Sequence, residues 1–314
     1  MKNMKHRTFI MGNGFDLDLG LHTSYQEFVN SELWPINNND IEKSSLANKI
    51  EEDSRENWFN LEDSLCEYGK VKTVYIVKTD ALKYDEIVYQ KTKEALFKFI
   101  RNREMIEPNK ESIAAEVLRR IASYGVFDNI LSFNYTDLNT IGAKIGANKL
   151  KYRHVHGSIS GNDIILGTGS NFELRKDYDF LYKTSDTKYR SANVRYALQD
   201  VDEVVFYGHS LGQQDYDYFK DFFDSCSEVG MTQEDSVNIT FFTKDVESEG
   251  QLKRQLRTMI SNAYGRLVDS NKVVFIHTQD KDSSDLIDFF NRISEIQKEI
   301  IRQRSGRGIR IGRI

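Results

Sequence analysis

The sequence predicts an α/β fold: a mostly parallel, Rossmann-like sheet with helices on both faces and a helical insertion. Three observations predict it. Short apolar runs ending at glycine or polar clusters recur along the chain, and the later ones alternate with helical segments, as in a parallel sheet covered on both sides. From about residue 40 to residue 125 the pattern is helical throughout. Only Pro35 and Pro108 punctuate the 314 residues, and no linker-like tract divides them. One domain over 1–300 with an insertion over 40–125 therefore fits better than two domains on a tether.

The first strand is Thr8-Phe9-Ile10-Met11, closed by Gly12. A loop is expected from Gly12 to Thr23. Ser24-Tyr25-Gln26-Glu27 then reads as a capping box, each side chain reaching the other's amide. In the helical stretch Trp58, Leu61, Leu65 and Tyr68 fall on one apolar face, and Glu94–Ile100 and Ile113–Ile121 repeat that spacing. Further strands are expected at Asn129–Phe133, Lys151–Val155, Asp163–Leu166, Glu203–Tyr207, Val237–Phe242 and Lys272–His277. Helices are expected at Asp215–Cys226, Gly250–Asn262 and Ser283–Glu299. The last residues, 301–314, carry Arg302, Arg304, Arg307, Arg310 and Arg313 with no acid and read as a solvated basic tail.

Composition narrows the function classes. Lys+Arg 43 against Asp+Glu 48 gives a net charge of −5, which argues against a surface built to coat nucleic acid and leaves only weak contact through the basic tail. No run approaches the roughly 18–20 apolar residues of a membrane helix. The basic stretch Met1–His6 is followed by an apolar run broken at once by Gly12-Asn13-Gly14, which fits neither a signal nor a transit peptide. Cys66 and Cys226 stand far apart, excluding a disulfide scaffold and a four-thiolate zinc site. A cytoplasmic protein without a metal is expected.

Four strand ends carry chemistry, and ligands of open parallel sheets bind outside the carboxyl ends of their strands. Gly12-Asn13-Gly14 would let backbone approach a phosphate, or form a tight turn. Asn134, Thr136 and Asp137 present amide, hydroxyl and carboxylate groups suited to ribose hydroxyls or a water, and one of the last two should cap the next helix. His154 and His156 are spaced to share a strand face, and His156 before Gly157 suits a base reaching into a cleft. Gly208-His209-Ser210-Leu211-Gly212 spells the Gly-x-Ser-x-Gly of a hydrolase elbow, although only His277 follows as a triad histidine. Glu62, four residues after Trp58, falls near an apolar face, either reaching the cleft or pairing with a base.

Gly12-Asn13-Gly14-Phe15-Asp16-Leu17, Gly20-Leu21-x-Thr23-Ser24-Tyr25, Trp58…Leu61-Glu62, Phe133-Asn134-Tyr135-Thr136, His154-Val155-His156-Gly157 and Tyr207-Gly208-His209-Ser210…Asp215 together resemble the bacteriophage abortive-infection AbiH family. The resemblance runs from Phe9 to His277. That family in turn looks like a divergent branch of the sirtuin-like NAD-binding fold. The resemblance implies NAD as ligand or substrate. Gly12, Asn13 and Gly14 would receive the pyrophosphate, and Asn134 would sit near the nicotinamide ribose. His156 would be the catalytic histidine. Gly208, His209 and Ser210 would meet the adenosine half, with Asp16, Thr136, Asp137 and Asp215 as further cofactor contacts. Thr136 stands where the sirtuin Asn-x-Asp motif has its aspartate, with Asp137 one step late. The four zinc cysteines and the Pro-Asp-Phe-Arg loop of deacylases are missing, so deacylation is not expected. The expected activity is hydrolysis of NAD to ADP-ribose and nicotinamide in antiphage defence, Glu62 or Asp16 stabilising the positive charge that develops. A non-catalytic NAD or ADP-ribose sensor and a serine hydrolase at Ser210 are the alternatives. Control by self-association or by a partner protein is expected of such an activity.

Overall fold

The computed structural model of the chain describes residues 6–35, 44–55, 60–70 and 79–308. Its elements are β1 (His6–Met11), α1 (Asn13–Asp18), α2 (Tyr25–Val29), α3 (Ser45–Asp53), α4 (Leu61–Gly69), α5 (Thr79–Glu104) and α6 (Ile113–Tyr124). Then come β2 (Asn129–Ser132), α7 (Leu138–Ile145), β3 (Arg153–His154), α8 (Val194–Ala197), β4 (Val201–Tyr207) and α9 (Tyr216–Ser225). The chain closes with β5 (Asn238–Thr243), α10 (Val246–Met259), α11 (Tyr264–Ser270), β6 (Lys272–His277) and α12 (Ser284–Gly308).

The six strands form one sheet in the order β3-β2-β1-β4-β5-β6, and every pairing is parallel. The fold is thus α/β and Rossmann-like. The order reverses at β1, which lies between β2 and β4, and the crevice at such a switch point is where ligands of this architecture bind. Strand β4 is buried along nearly its whole length, as a central strand covered on both faces must be. Its alternation sends Val205 and Tyr207 to one face, packed with α1, α6, α7 and α12, and Val204 and Phe206 to the other, packed with α8, α9, α10 and α11.

A third core joins α2, α3, α4 and α5 to the segment 159–181, through Phe28, Leu61, Leu65, Leu96, Phe99, Leu166 and Leu181. Helix α6 instead lies in the layer on the sheet, as the crossover from β1 to β2. The added helical block is therefore α2–α5. Leu61, Leu65 and Tyr68 bury one face as their spacing predicts, while Trp58 lies outside the described residues.

Three expectations are corrected. The segment after Gly12 is not all loop: α1 starts at Asn13, directly behind the strand. Asp163–Leu166 is not a strand. It runs beside His156, whose carbonyl accepts from Ile165 N at 2.9 Å, and its apolar side chains fill the third core without a ladder partner. The strand expected at Lys151–Val155 is only two residues long, because Val155 leaves β2 after one further bond. Helix α12 also continues beyond Glu299, so it takes in Arg302, while 309–314 lie outside the described residues. No helix among the described residues is long and apolar enough to cross a membrane.

Candidate functional site

Two buried polar nets occupy the carboxyl ends of β1, β2 and β4. The first centres on Asp16 in α1. Asn134 Nδ2 donates to its Oδ1 and Thr136 Oγ1 to its Oδ2, both at 2.8 Å. Asp16 is 1% exposed, and burial raises its carboxyl to about 7 against the pull of those two bonds. The Asn134 carbonyl accepts from His154 Nδ1 at 3.0 Å, whereas its side-chain Oδ1 is buried without a partner.

The second net centres on Lys183, which is 2% exposed. Its Nζ lies 3.0 Å from Glu62 Oε2, 3.2 Å from Asp215 Oδ1 and 3.3 Å from His156 Nε2. His156 Nε2 is itself 3.3 Å from Asp215 Oδ1, and His209 Nε2 is 3.6 Å from Asp215 Oδ2. Burial opposes the charged form in this net, and charge overrides it at Asp215 and Lys183 but not at Glu62 or His209. Desolvation alone would raise Asp215; the neighbouring Lys183 and His156 hold it well below the usual carboxylate range. Desolvation alone would lower Lys183; Asp215 and Glu62 raise it instead. At Glu62 desolvation wins over Lys183 and the carboxyl is raised, and its Oε1 has no hydrogen-bond partner. Burial pushes His209 down to about 4, so it is neutral, and its Nδ1 accepts from Leu211 N at 3.0 Å.

The glycines hold the two nets together. A Cβ on Gly12 would stand 2.6 Å from His209 Cα, and one on Gly14 2.6 Å from Gly208 Cα. Gly12 N donates to the Tyr207 carbonyl and Gly14 N to that of Gly208. The missing side chains therefore serve the close packing of the β1–α1 turn on the β4 loop, and these two amides already have acceptors. That corrects the expectation that they point at a phosphate. Asn13 side-chain oxygen accepts from Thr23 Oγ1 at 2.6 Å. Phe133 lies edge-on to both His156 and His209, with ring centroids 5.2 and 4.4 Å away.

The sequence-chosen residues thus divide. His156, His209, Asp215 and Glu62 meet around Lys183, and Asn134 and Thr136 meet at Asp16. Asp137 is the N-cap of α7, accepting from Thr140 N at 2.7 Å and from Tyr152 Oη at 2.9 Å. His154 and His156 part company where β3 ends, and no group of three or more histidine, cysteine or acidic side chains among the described residues could hold a metal. Ser210 is exposed in the loop after β4, ahead of a 3₁₀ turn rather than at a strand–helix elbow. His277 pairs with Glu249 at 2.7 Å at the end of β6, so the hydrolase triad is not assembled.

Lys183 escaped the sequence reading, as did Gln214. The Gln214 Oε1 accepts from Thr168 Oγ1 at 2.7 Å and Gly169 N at 3.2 Å, while its Nε2 donates to Asp63 at 3.0 Å. Lys183 directly follows Phe180-Leu181-Tyr182 and Gln214 sits in a polar turn, and neither lies in a motif or a periodic pattern that marks it as buried. They also line a pocket of about 390 Å³ that opens beside the Lys183 net. A larger cavity, about 600 Å³, lies between α5 and residues 180–188 and includes none of the residues of either net.

A family model described as bacteriophage abortive infection AbiH matches residues 8–240, and the chain belongs to that family. The match runs from within β1 to within β5 and takes in both polar nets. No curated protein was found to match it.

Proposed function

We propose that this AbiH-family chain, whose family implies a role in the abortive infection of phage-attacked cells, acts by hydrolysing NAD to ADP-ribose and nicotinamide. The observation that carries the reading is the buried Glu62–Lys183–Asp215–His156 net beside the switch point of the sheet. The strand order matches that of dinucleotide-binding α/β folds, which supports a nucleotide ligand and the likeness to sirtuin-like proteins.

The scissile bond joins ribose C1′ to a pyridinium nitrogen, a leaving group that needs no proton. When it breaks, its electron pair neutralises the ring and leaves an oxocarbenium-like ribose. Asp215, held anionic by Lys183, supplies fixed negative charge for that cation. The partnerless Oδ1 of Asn134 can accept from a ribose hydroxyl. Water adds to C1′, and its proton passes to the His156 imidazole and on to solvent.

Chromatography of NAD incubated with wild type, Asn134→Ala and His156→Ala tests the reading. Nicotinamide and ADP-ribose should appear in equal amounts with wild type, and His156→Ala should lose about 10²–10⁴-fold in rate. Full turnover in His156→Ala would remove the histidine from the mechanism. A binding module without turnover is the second reading. It is favoured by the engagement of His156 Nε2 with both Lys183 and Asp215, and saturable NAD binding without product would establish it.

A further inference from the structure

The three charged side chains that meet at Lys183 come from separate stretches of chain. Glu62 lies in the first turn of α4, Lys183 in the 3₁₀ turn Lys183–Ser185 and Asp215 in the 3₁₀ turn Gln213–Asp215. One uncharged side chain links all three. Gln214 directly precedes Asp215 and is buried. Its Nε2 donates to Asp63 Oδ1 at 3.0 Å, one residue after Glu62. Its Oε1 accepts from Thr168 Oγ1 at 2.7 Å and from Gly169 N at 3.2 Å. Thr168 is joined in turn to the Lys183 stretch by two backbone bonds: its N–H donates to the Leu181 carbonyl at 2.8 Å, and its carbonyl accepts from Lys183 N at 3.0 Å. The far ends of these links are fixed as well. Asp63 Oδ2 accepts from Asn60 Nδ2 at 2.9 Å, and Asn60 caps α4 by accepting from Glu62 N at 3.1 Å. The Gln214 carbonyl packs on Gly169, where a Cβ would stand 2.7 Å away.

We infer that Gln214 is a positioning residue: its amide sets the spacing of Glu62, Lys183 and Asp215, and through them the place of His156, without meeting the substrate itself. Its effect on rate rests on the proposed NAD hydrolysis; its effect on the net does not. Two donors on one side and a carboxylate on the other call for a primary amide, which accepts at one end and donates at the other. Glutamate there would set a carboxylate against Asp63, and methionine would leave the buried Thr168 hydroxyl and Gly169 amide without their acceptor. A lysine carries its charge on a flexible four-carbon stem, so where the Lys183 ammonium stands depends on how its backbone is held. Misplacing such a group by about 1 Å can cost on the order of 10²-fold in rate.

Urea melts and steady-state NAD kinetics of the full chain test the inference. The variants are Gln214→Met, Gln214→Glu and Glu62→Gln, the pair Gln214→Met with Glu62→Gln, and the pair Gln214→Glu with Asp63→Asn. The last pair turns the bond to Asp63 round, an amide now donating to a carboxylate at unchanged net charge. Circular dichroism checks that each variant folds; should Gln214→Met not fold, the turned-round pair decides. Gln214→Met and Glu62→Gln together should shift the urea midpoint by less than the sum of their separate shifts. Gln214→Glu should lower the midpoint, and adding Asp63→Asn should recover most of the loss. With NAD, Gln214→Met should lower kcat about tenfold or more at an unchanged KM, and the turned-round pair should recover most of the kcat that Gln214→Glu loses. Additive midpoint shifts, no recovery in the turned-round pair, or a raised KM at an unchanged kcat would overturn the inference, the last by making Gln214 a ligand contact. Coupled melts and recovery without NAD turnover in wild type would keep the positioning role and reject hydrolysis. NAD turnover in wild type with an unchanged kcat in folded Gln214→Met would keep hydrolysis and reject the positioning role.

Discussion

Lys183 Nζ lies 3.2 Å from Asp215 Oδ1, with the lysine side chain 3% and the aspartate 14% exposed, so a buried ammonium holds the second net together. Lys183 comes from a short 3₁₀ turn in the segment between β3 and β4, and Asp215 from the turn that leads into α9. The same ammonium reaches Glu62 of α4, so one side chain ties the helical block to the sheet.

Removing that ammonium takes from Glu62 and Asp215 the cation they share. Lys183→Met, which keeps the length of the side chain, is expected to lower the unfolding free energy by about 3–5 kcal/mol. Adding Glu62→Gln to it should restore part of the loss, since one of the stranded charges is then gone. Urea melts of both single variants and the double variant check this. Additive losses would show that Lys183 and Glu62 do not interact.

Asp16 and His209 bias stability in opposite directions. Asp16 goes from 3.8 to about 7 on folding, so the stability it contributes is full below pH 3.8 and is lost as pH rises through 7. His209 goes from 6.5 to about 4, so its contribution is full above pH 6.5 and is lost as pH falls through 4. Asp16→Asn can keep both hydrogen bonds, its carbonyl accepting from Asn134 and its amide donating to the Thr136 hydroxyl. Relative to wild type, Asp16→Asn should gain stability as pH rises from 4 to 7, and His209→Asn should gain it as pH falls from 6.5 to 4. Each difference is on the order of 3 kcal/mol across its window. Urea midpoints at three pH values read it, and parallel profiles for all three proteins would contradict it.

Glycine positions separate strain from crowding. Gly157 has φ +77°, and a Cβ there would stand 1.7 Å from the carbonyl oxygen of Asp163. Because the obstacle is backbone, Gly157→Ala should cost more than about 4 kcal/mol and displace His156 beside it. Gly125, the left-handed cap of α6 at φ +59°, has nothing within 4 Å, so Gly125→Ala should cost only about 1 kcal/mol. Thermal melts compare the two. Similar losses would mean that conformation, not space, governs both sites.

Much of the architecture was legible because it rests on local patterns. The apolar runs ending at Met11, Ser132 and Tyr207 give the strands, and Ser24 and Glu27 give a capping box whose two bonds are both present. The motif residues at those strand ends do meet, since a parallel sheet brings its carboxyl ends to one rim. What stayed hidden depends on contacts distant in the chain. Asn134 reaches Asp16 across 118 residues, and nothing in either motif says that one serves the other. Gly12-Asn13-Gly14 looked like a phosphate turn because the same absence of Cβ serves close packing on Gly208. Lys183 was invisible because a lone lysine outside any motif reads as solvated; only two carboxylates from other parts of the chain make it a buried ion.

Asp137 distinguishes a scaffold role from a ligand role. Its motif position suggested a ribose contact, yet its carboxylate is occupied by Thr140 N, Tyr152 Oη and Ser160 Oγ, and those bonds hold it below the usual carboxylate range although burial opposes them. Asp137→Ala removes the N-cap of α7, at a cost of about 1 kcal/mol. It also strands the Tyr152 hydroxyl, which still donates nowhere else, though it continues to accept from Leu138 N at 3.0 Å. Because Asn134 and Thr136 hold their bonds to Asp16 without help from Asp137, the KM for NAD should be unchanged in the variant while the melting temperature falls. Steady-state kinetics beside a thermal melt separates the two roles. A KM raised tenfold with no loss of melting temperature would make Asp137 a ligand contact and not a cap.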